Sequence, residues 1–456
     1  MHEENYEELG EQIFDLVNAR RFGEVREILT DMEAADIALL LGDVPHEDLP
    51  LLYRILPKEI AAETFVEMDG DEQELLIEAF SDRELKEVID DLYVDDAVDI
   101  IEEMPANVVR RILKHTDPET RKSINDILRY PKDSAGSIMT VEYVNLRRDM
   151  TVEESFIRIR RTGVDKETIY TCYVTDTNRK LLGLVTVKDL LLAEYSEVIE
   201  DIMETNVISV NTLEDKEHVA HAFDKYDFMA IPVVDAEERL VGIVTFDDAI
   251  DVIQDENTED MAKMAAVVPS EESYLKTSVW KHAKNRIFWL LFLMLSAAVT
   301  GSIITSYEDA FVQIPLLVAF IPMLMGTGGN CGSQSSTMII RGMALDEISI
   351  KDFFRVLFKE TRVALLVGVM LAIANAARVF IMYPNDDPAF LAVTSGLSMI
   401  CTVFIAKSLG CVLPMLAKKC KLDPALMAAP LITTILDTCS VLIFFNIALW
   451  IMTWGI

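Results

Sequence analysis

Histidine is almost missing from the second half of this 456-residue chain: of six, only His282 lies beyond the midpoint. An HExxH intramembrane metalloprotease cannot be assembled there. No GxxxxGK[ST] occurs, which argues against an ATP-driven pump of the P-loop type. CxxC is absent as well. Five of the six cysteines lie in the apolar half, where they act as small hydrophobes. The N-terminus, MHEENYEELGEQIF, has neither a basic region nor an apolar run. It is not a signal peptide, and the first half is expected to stay on the cytosolic side. Basic residues are scarce ahead of Lys281. The chain from Lys281 onward carries 13 Lys+Arg and 10 Asp+Glu, which leaves 28 and 66 of the totals 41 and 76 before it. The net charges are +3 and −38. An acidic half of that size repels nucleic acid and anionic lipid and favours cations.

The chain is 51% hydrophobic with a mean hydropathy of +0.24, intermediate between a soluble protein and one made wholly of membrane helices. Five apolar spans follow residue 286, at about 287–306, 312–340, 363–383, 388–416 and 425–454. Each reaches the roughly 20 residues that cross a bilayer. Basic residues cluster at Lys281, Lys284 and Arg286, between Arg341 and Arg362, and at Lys418, Lys419 and Lys421. The alternate connections, SYED (306–309) and YPNDDP (383–388), have none. The positive-inside rule therefore predicts a multi-pass protein of the cell (inner) membrane, its N-terminus cytoplasmic and its C-terminus outside. The segment 341–360 reads as an amphipathic helix on the cytosolic interface.

The last span, DPALMAAPLITTILDTCSVLIFFNIALWIMTW, carries Asp437 more than ten positions from either polar flank. A carboxylate there costs at least ~2.5 kcal/mol unless it faces protein or water. Thr433 and Ser440 share its helical face, and Pro430 frees a backbone carbonyl nearby. This pattern reads as an ion pathway; a structural acid neutralised by a neighbouring helix is the plainer alternative. The second span, IPMLMGTGGNCGSQSSTMIIRG (321–342), is the other unusual one. Gly326, Gly328, Gly329 and Gly332 allow close helix packing or non-helical backbone lining a cavity. Packing alone leaves Asn330, Gln334 and Thr337 unexplained beside an acid in another span, so Gly326, Gly328, Gly329, Asn330, Gln334 and Thr337 are expected to line a pore with Thr433.

Residues 1–130 alternate short apolar-periodic runs with Asp, Pro and Glu stops, an acidic domain of stacked short helices. ADIALLLGDVP (35–45) aligns with DDAVDIIEEMP (95–105) at an offset of 60. Asp95 and Asp99 stand at i,i+4, which is ordinary on a solvated face and favourable if a cation bridges them. Residues 131–252 hold a different repeat, CYVTDTNRKLLGLVTVKDLL (172–191) and IPVVDAEERLVGIVTFDDAI (231–250), offset by 59. Each copy reads as a hairpin leading into a helix that opens on Thr-x-x-Asp. Upstream, SIMT (137–140) and DIMET (201–205) begin the copies. Residues 253–285 suit a connecting helix ahead of the membrane domain, 286–456; its early acids, Asp255, Glu256, Glu259 and Asp260, are also those that a helix dipole favours.

The doubled pattern at 172–191 and 231–250 resembles a tandem pair of CBS domains. In nucleotide-binding members the matching positions here are Thr186, Lys188 and Asp189, and ATP is the cofactor so implied; other members bind none. Together with GTGGNCGSQSSTMIIR and the DPAL…P…D pattern at 423–437, the whole chain resembles the MgtE family of bacterial magnesium channels. That resemblance implies an α-helical polytopic membrane protein of five transmembrane helices, with a cytosolic all-α helical-repeat domain and α+β tandem CBS domains. It implies a homodimer in membrane lipid, with Mg²⁺ transported along the dimer axis past Asp437. The pore lining it implies also takes in Ser333 and Ala429, both of which depart from the family pattern. The family's regulatory metal positions fall on Glu63, Asp95, Asp99, Glu217, Asp227, Asp248, Asp251, Glu256, Glu259 and Asp260, all acidic here. The function implied is a Mg²⁺-selective uptake channel that cytosolic Mg²⁺ closes, not an enzyme. An ion-coupled carrier for Mg²⁺, Mn²⁺ or Co²⁺ would use the same acid. A membrane-embedded hydrolase lacks a nucleophile–base pair, and a membrane-anchored nucleotide sensor would not need the polar second span.

Overall fold

The computed structural model describes residues 3–270, 274–275, 277–307, 315–345, 347–427 and 429–453. The chain forms two compact units, Met1–Gln254 and Asp255–Ile456.

The first unit begins with short helices from Glu3–Asn18 to Pro118–Ile127. The 60-residue repeat corresponds to the helices Ala34–Gly42 and Val94–Glu103. Local chemistry sets the breaks. Ser81 and Glu84 close a capping box at the start of Asp82–Asp90. Arg111 donates to the carbonyls of Ile77 (2.6 Å) and Phe80 (2.5 Å), satisfying orphan acceptors where the helix Gly70–Ala79 ends. Val25, Leu29, Leu41, Phe65 and Ile77 are fully enclosed beneath these helices.

Two small sheets follow, β1 (Tyr143–Arg147), β2 (Thr168–Thr175) and β3 (Leu181–Thr186), then β4 (Val210–Asn211), β5 (Ala230–Val234) and β6 (Leu240–Thr245). In each, the first strand pairs parallel to the second and the second antiparallel to the third. The copies exchange their leading segments. Thr140 pairs with Ile243 of the second sheet, and Glu204 with Leu184 of the first. This explains the repeat-matched glycines: a Cβ on Gly183 would lie 2.7 Å from the Glu204 carbonyl, and one on Gly242 2.7 Å from that of Thr140. The core of the helical domain is continuous with that of the second copy, where Val94 and Val98 join one apolar cluster with Val233, Val244 and Ala249.

The connecting helix runs Phe246–Met264, earlier than the expected 253–285. It starts at the end of β6, where the Thr245 amide and hydroxyl both donate to the Asp248 carboxylate. It ends where Ala266 takes φ 55° and the Val267 amide donates to the Ala262 carbonyl.

Among the described residues, five helices of the second unit are long and apolar enough to cross a membrane. They run Val279–Ser306, Ile321–Ala344, Phe353–Met382, Pro388–Lys419 and Ala429–Thr453. The second is helical through all its glycines, so of the two alternatives these glycines allow, close packing and non-helical backbone, it takes the first. A separate interfacial helix at 341–360 is also absent among the described residues. The second helix instead continues to Ala344, and Ser349 with Asp352 caps the 3-10 turn Ile350–Asp352 that opens the third. The fourth helix is central, packing on the second, third and fifth; the first packs on the fifth. Thr300 and Thr438 share a 2.7 Å hydrogen bond across the first and fifth helices, and Tyr307 stacks on Phe445.

Candidate ion pathway and acidic cluster

The second membrane helix has two unlike faces. Gly328, Gly329, Cys331, Gly332, Ser335 and Ser336 are buried. An added Cβ on Gly328 would lie 2.8 Å from Thr402 Cγ2 and 2.9 Å from Ser440 Oγ; one on Gly329 would lie 3.0 Å from Thr433 Cγ2. On Gly332 it would meet Leu436 Cδ1 at 2.4 Å. These glycines let the fifth and fourth helices approach the backbone, so Gly328 and Gly329 belong to the helix contact rather than to an open wall. Gly326, Asn330, Gln334 and Thr337 are exposed on the other face, and Ser333 is half-buried there. An exposed amide-bearing stripe in a membrane helix is costly against lipid, which cannot pair with it.

The fifth helix lies antiparallel along this seam: Ser440 meets Gly328, Thr433 meets Gly329, and Ser336 Oγ donates to the Met427 carbonyl (3.0 Å). Asp437, one turn from both Thr433 and Ser440, is half-buried at the seam. Ser440 itself is fully buried, and the Thr433 hydroxyl donates to the Pro430 carbonyl of its own helix (3.0 Å). No cation among the described residues pairs with Asp437. The side chain of Ala429 lies outside the described residues.

The acids of the first unit converge on the helix Val94–Glu103. Asp95 is buried, and its Oδ1 has no hydrogen-bond partner; nor has Oε2 of Glu167. Burial first, and then the negative charge of Asp248, push the Asp95 carboxyl well above the usual range. The same two causes raise Asp96 and Asp99 to about 7. Burial, then the charge of Asp96, raises Glu167 to about 8. Asp248 rises to about 6, mainly by burial, although Thr245 donates to it. So many carboxylates facing one another suit a hard cation that keeps its water. No three acids among the described residues stand at direct-ligand distance.

The other expected regulatory acids lie apart from this cluster. Glu63 and Asp227 are exposed; Asp227 ends its helix in a left-handed conformation. Glu217 lies 3.7 Å from His221. Asp251 is exposed on the same helix as Asp248, and Glu256, Glu259 and Asp260 continue that helix in the second unit. There Lys263 bridges Glu259 and Asp423, 2.7 Å from each. Asp423 in turn caps Ala425 (2.8 Å) at the turn that leads into the fifth helix. Thr186 and Asp189 form a capping box on an exposed edge, with Lys188 exposed beside them.

Several polar groups were not singled out from sequence. Asp96, beside Asp95 on the same helix, and Glu142 and Glu167, from segments without a shared pattern, join the acidic cluster. Lys407, Glu360 and Ser335 form a buried network in the membrane domain. Lys407 inside an apolar span was the available signal for it. Arg378 lies 5.3 Å from the Phe320 ring and donates to Asn375 Oδ1 (3.0 Å), whose amide reaches Ser395 (2.7 Å).

Comparison with known proteins gives three family matches. Residues 321–447 match the MgtE family, described as divalent cation transporter; residues 32–133 match the MgtE intracellular N domain; 135–196 and 199–255 match the CBS domain. A magnesium transporter MgtE of Thermus thermophilus is 36% identical over 428 residues, covering 93% of this chain and 94% of that protein. One of Bacillus subtilis is 31% identical over 443 residues, covering 97% of each. Among solved structures, the cytosolic domain of the Mg²⁺ channel MgtE in complex with ATP aligns at 36% identity and TM-score 0.50, over 53% of this chain and 99% of that one. The soluble part of a magnesium transporter aligns at 29% identity and TM-score 0.51, over 55% of this chain and 99% of that one.

Proposed function

This chain belongs to the MgtE family of divalent cation transporters, and on that premise we propose that it is a homodimeric Mg²⁺ channel which cytosolic Mg²⁺ closes. One observation carries the reading: the exposed stripe Asn330, Gln334 and Thr337 lies on a membrane helix that packs on the helix carrying half-buried Asp437. A second copy placed across a water-filled axis would remove that stripe from lipid and bring two Asp437 carboxylates to one pathway. Mg²⁺ gives up its hydration shell reluctantly, so amide and hydroxyl groups that hold its waters suit it better than a cage of direct ligands. The N-terminus is assigned to the cytosol of the cell (inner) membrane from the basic clusters that flank the spans.

Closure would draw on the acidic cluster. Mg²⁺ between Asp95, Asp99 and Asp248 would favour whichever arrangement brings those acids together, because a ligand shifts a conformational equilibrium only by its differential affinity. The Glu259–Lys263–Asp423 bridge supports the connecting helix as the part that acts on the pore, since Asp423 starts the turn before the fifth helix.

The experiment is recording from inside-out patches with Mg²⁺ varied on the cytosolic face. Single-channel events should appear with a reversal potential that follows the Mg²⁺ gradient alone, and cytosolic Mg²⁺ should suppress them. Strict dependence of flux on a Na⁺ or H⁺ gradient would identify a coupled carrier instead.

ATP is proposed to bind the first copy of the repeat, at Thr186, Lys188 and Asp189. The equivalent Thr245–Asp248 pair is crowded by Asp95 and its neighbours, whose charge repels phosphate. Asp189→Ala should weaken ATP binding about tenfold or more, the effect of losing a hydrogen bond to a charged group, as read by equilibrium dialysis of the full-length protein. Unchanged binding would place the nucleotide elsewhere.

A further inference from the structure

Ser335, Glu360 and Lys407 tie three membrane helices together on the side of the second helix that faces away from its polar stripe. Ser335 Oγ donates to Glu360 Oε2 (2.6 Å) and accepts from Lys407 Nζ (3.1 Å). The two charges stand 3.7 Å apart, with Lys407 7% and Glu360 16% exposed. Around them the backbones approach closely: a Cβ on Gly410 would lie 2.4 Å from the Gly332 carbonyl and 3.0 Å from Ser335 Cβ. Helical geometry converts this tie into an orientation. At 3.6 residues per turn, Asn330 and Thr337 point about 140–160° away from Ser335. A helix held at Ser335 therefore has its opposite face fixed in rotation.

We propose that Lys407 and Glu360 are positioning residues for the permeation pathway. They clamp Ser335 and so set the rotation of the second membrane helix, which aims Asn330, Gln334 and Thr337 along the path of the ion. Leucine-rich packing would hold the helices together equally well but would let the second helix turn about its own axis. A charge pair sharing one hydroxyl admits one register, since any turn of the helix withdraws Ser335 from both partners. The pair touches no permeating ion in this arrangement; it acts through the helix it anchors. The inference rests on reading the stripe as pore wall.

The test uses full-length protein in proteoliposomes, with Mg²⁺ flux and the Mg²⁺-over-Na⁺ permeability ratio measured for each variant. Ser335→Ala keeps both charges and the packing volume but breaks the tie. Its flux and permeability ratio should each fall about tenfold, a typical coupling between contacting residues, while its elution volume and melting profile stay those of the parent protein. Lys407→Met and Glu360→Gln each leave one charge unpaired and should lose more. The exchange Lys407→Glu with Glu360→Lys should recover the ratio relative to either single change. A folded Ser335→Ala protein with parental flux and selectivity would overturn the proposal, as would an exchange that folds without recovery. Asp437→Ala, run alongside, separates the two readings. Loss of flux there with no effect of Ser335→Ala refutes the positioning role alone; retained flux there refutes the pore wall itself.

Discussion

Asp437→Ala is expected to lower Mg²⁺ flux through reconstituted protein by about 100-fold or more, because a unit charge at contact distance contributes several kcal/mol even when partly screened. Two such carboxylates would face one pathway in a dimer, and no other acid lies on the described part of the fifth helix. Asp437→Asn keeps the shape and should lose flux almost as fully, which separates charge from packing. Little stability should be lost in either variant, since no cation among the described residues pairs with the carboxylate. A Mg²⁺-sensitive dye inside the vesicles reads the flux, and size exclusion with a melting curve reads the fold. Mg²⁺-selective flux at the parental rate in a folded Asp437→Ala protein would falsify the pore assignment.

Asp95→Asn is expected to stabilise the protein when divalent cations are absent and to remove much of the stabilisation that Mg²⁺ brings. The carboxyls of Asp96, Asp99, Asp248 and Glu167 titrate at about 6 to 8 in the fold, against about 4 in an unfolded chain. Between those values the folded protein binds more protons than the unfolded one, so its stability falls as pH rises from about 4 to about 8. Below that window both states are protonated and the difference vanishes. Asn in place of Asp95 removes the cost, on folding, of burying that carboxyl or of protonating it. At pH 7.5 a relief of about 1 kcal/mol would move the melting midpoint by about 2–4 °C for a unit of this size. Millimolar Mg²⁺ should raise the midpoint of the parent at pH 7.5 by more than it does for the variant. NaCl at matched ionic strength should do less, because it only screens the acids, over about 8 Å at physiological strength. A melting midpoint flat from pH 5 to 8, or equal effects of the two salts, would leave the cluster without a cation-binding role.

The division into an acidic half and an apolar half, the five spans, the doubled hairpin-and-helix pattern and Asp437 were all legible in the sequence. Each is a local property: a charge count, a run length, a repeat offset, a carboxylate among apolar neighbours. What the glycines of the second span do was decided only by tertiary structure. Periodicity places Gly328, Gly329 and Asn330 side by side along the chain but does not say which face meets the fourth and fifth helices. Neighbouring backbones settle it, through the Cβ space closed at Gly328 and Gly332 and open at Gly326. The limits of the connecting helix likewise depend on Thr245 and Asp248 beginning it against a finished strand. The acidic cluster is the clearest case. Asp95 and Asp99 repeat on a helix in a way that ordinary solvated faces also show. Asp248 and Glu167 reach them from segments some 70 to 150 residues away in sequence, and no local spacing records that. Burial and mutual repulsion, the two effects that distinguish a cation site from a solvated face, exist only once the chain has folded.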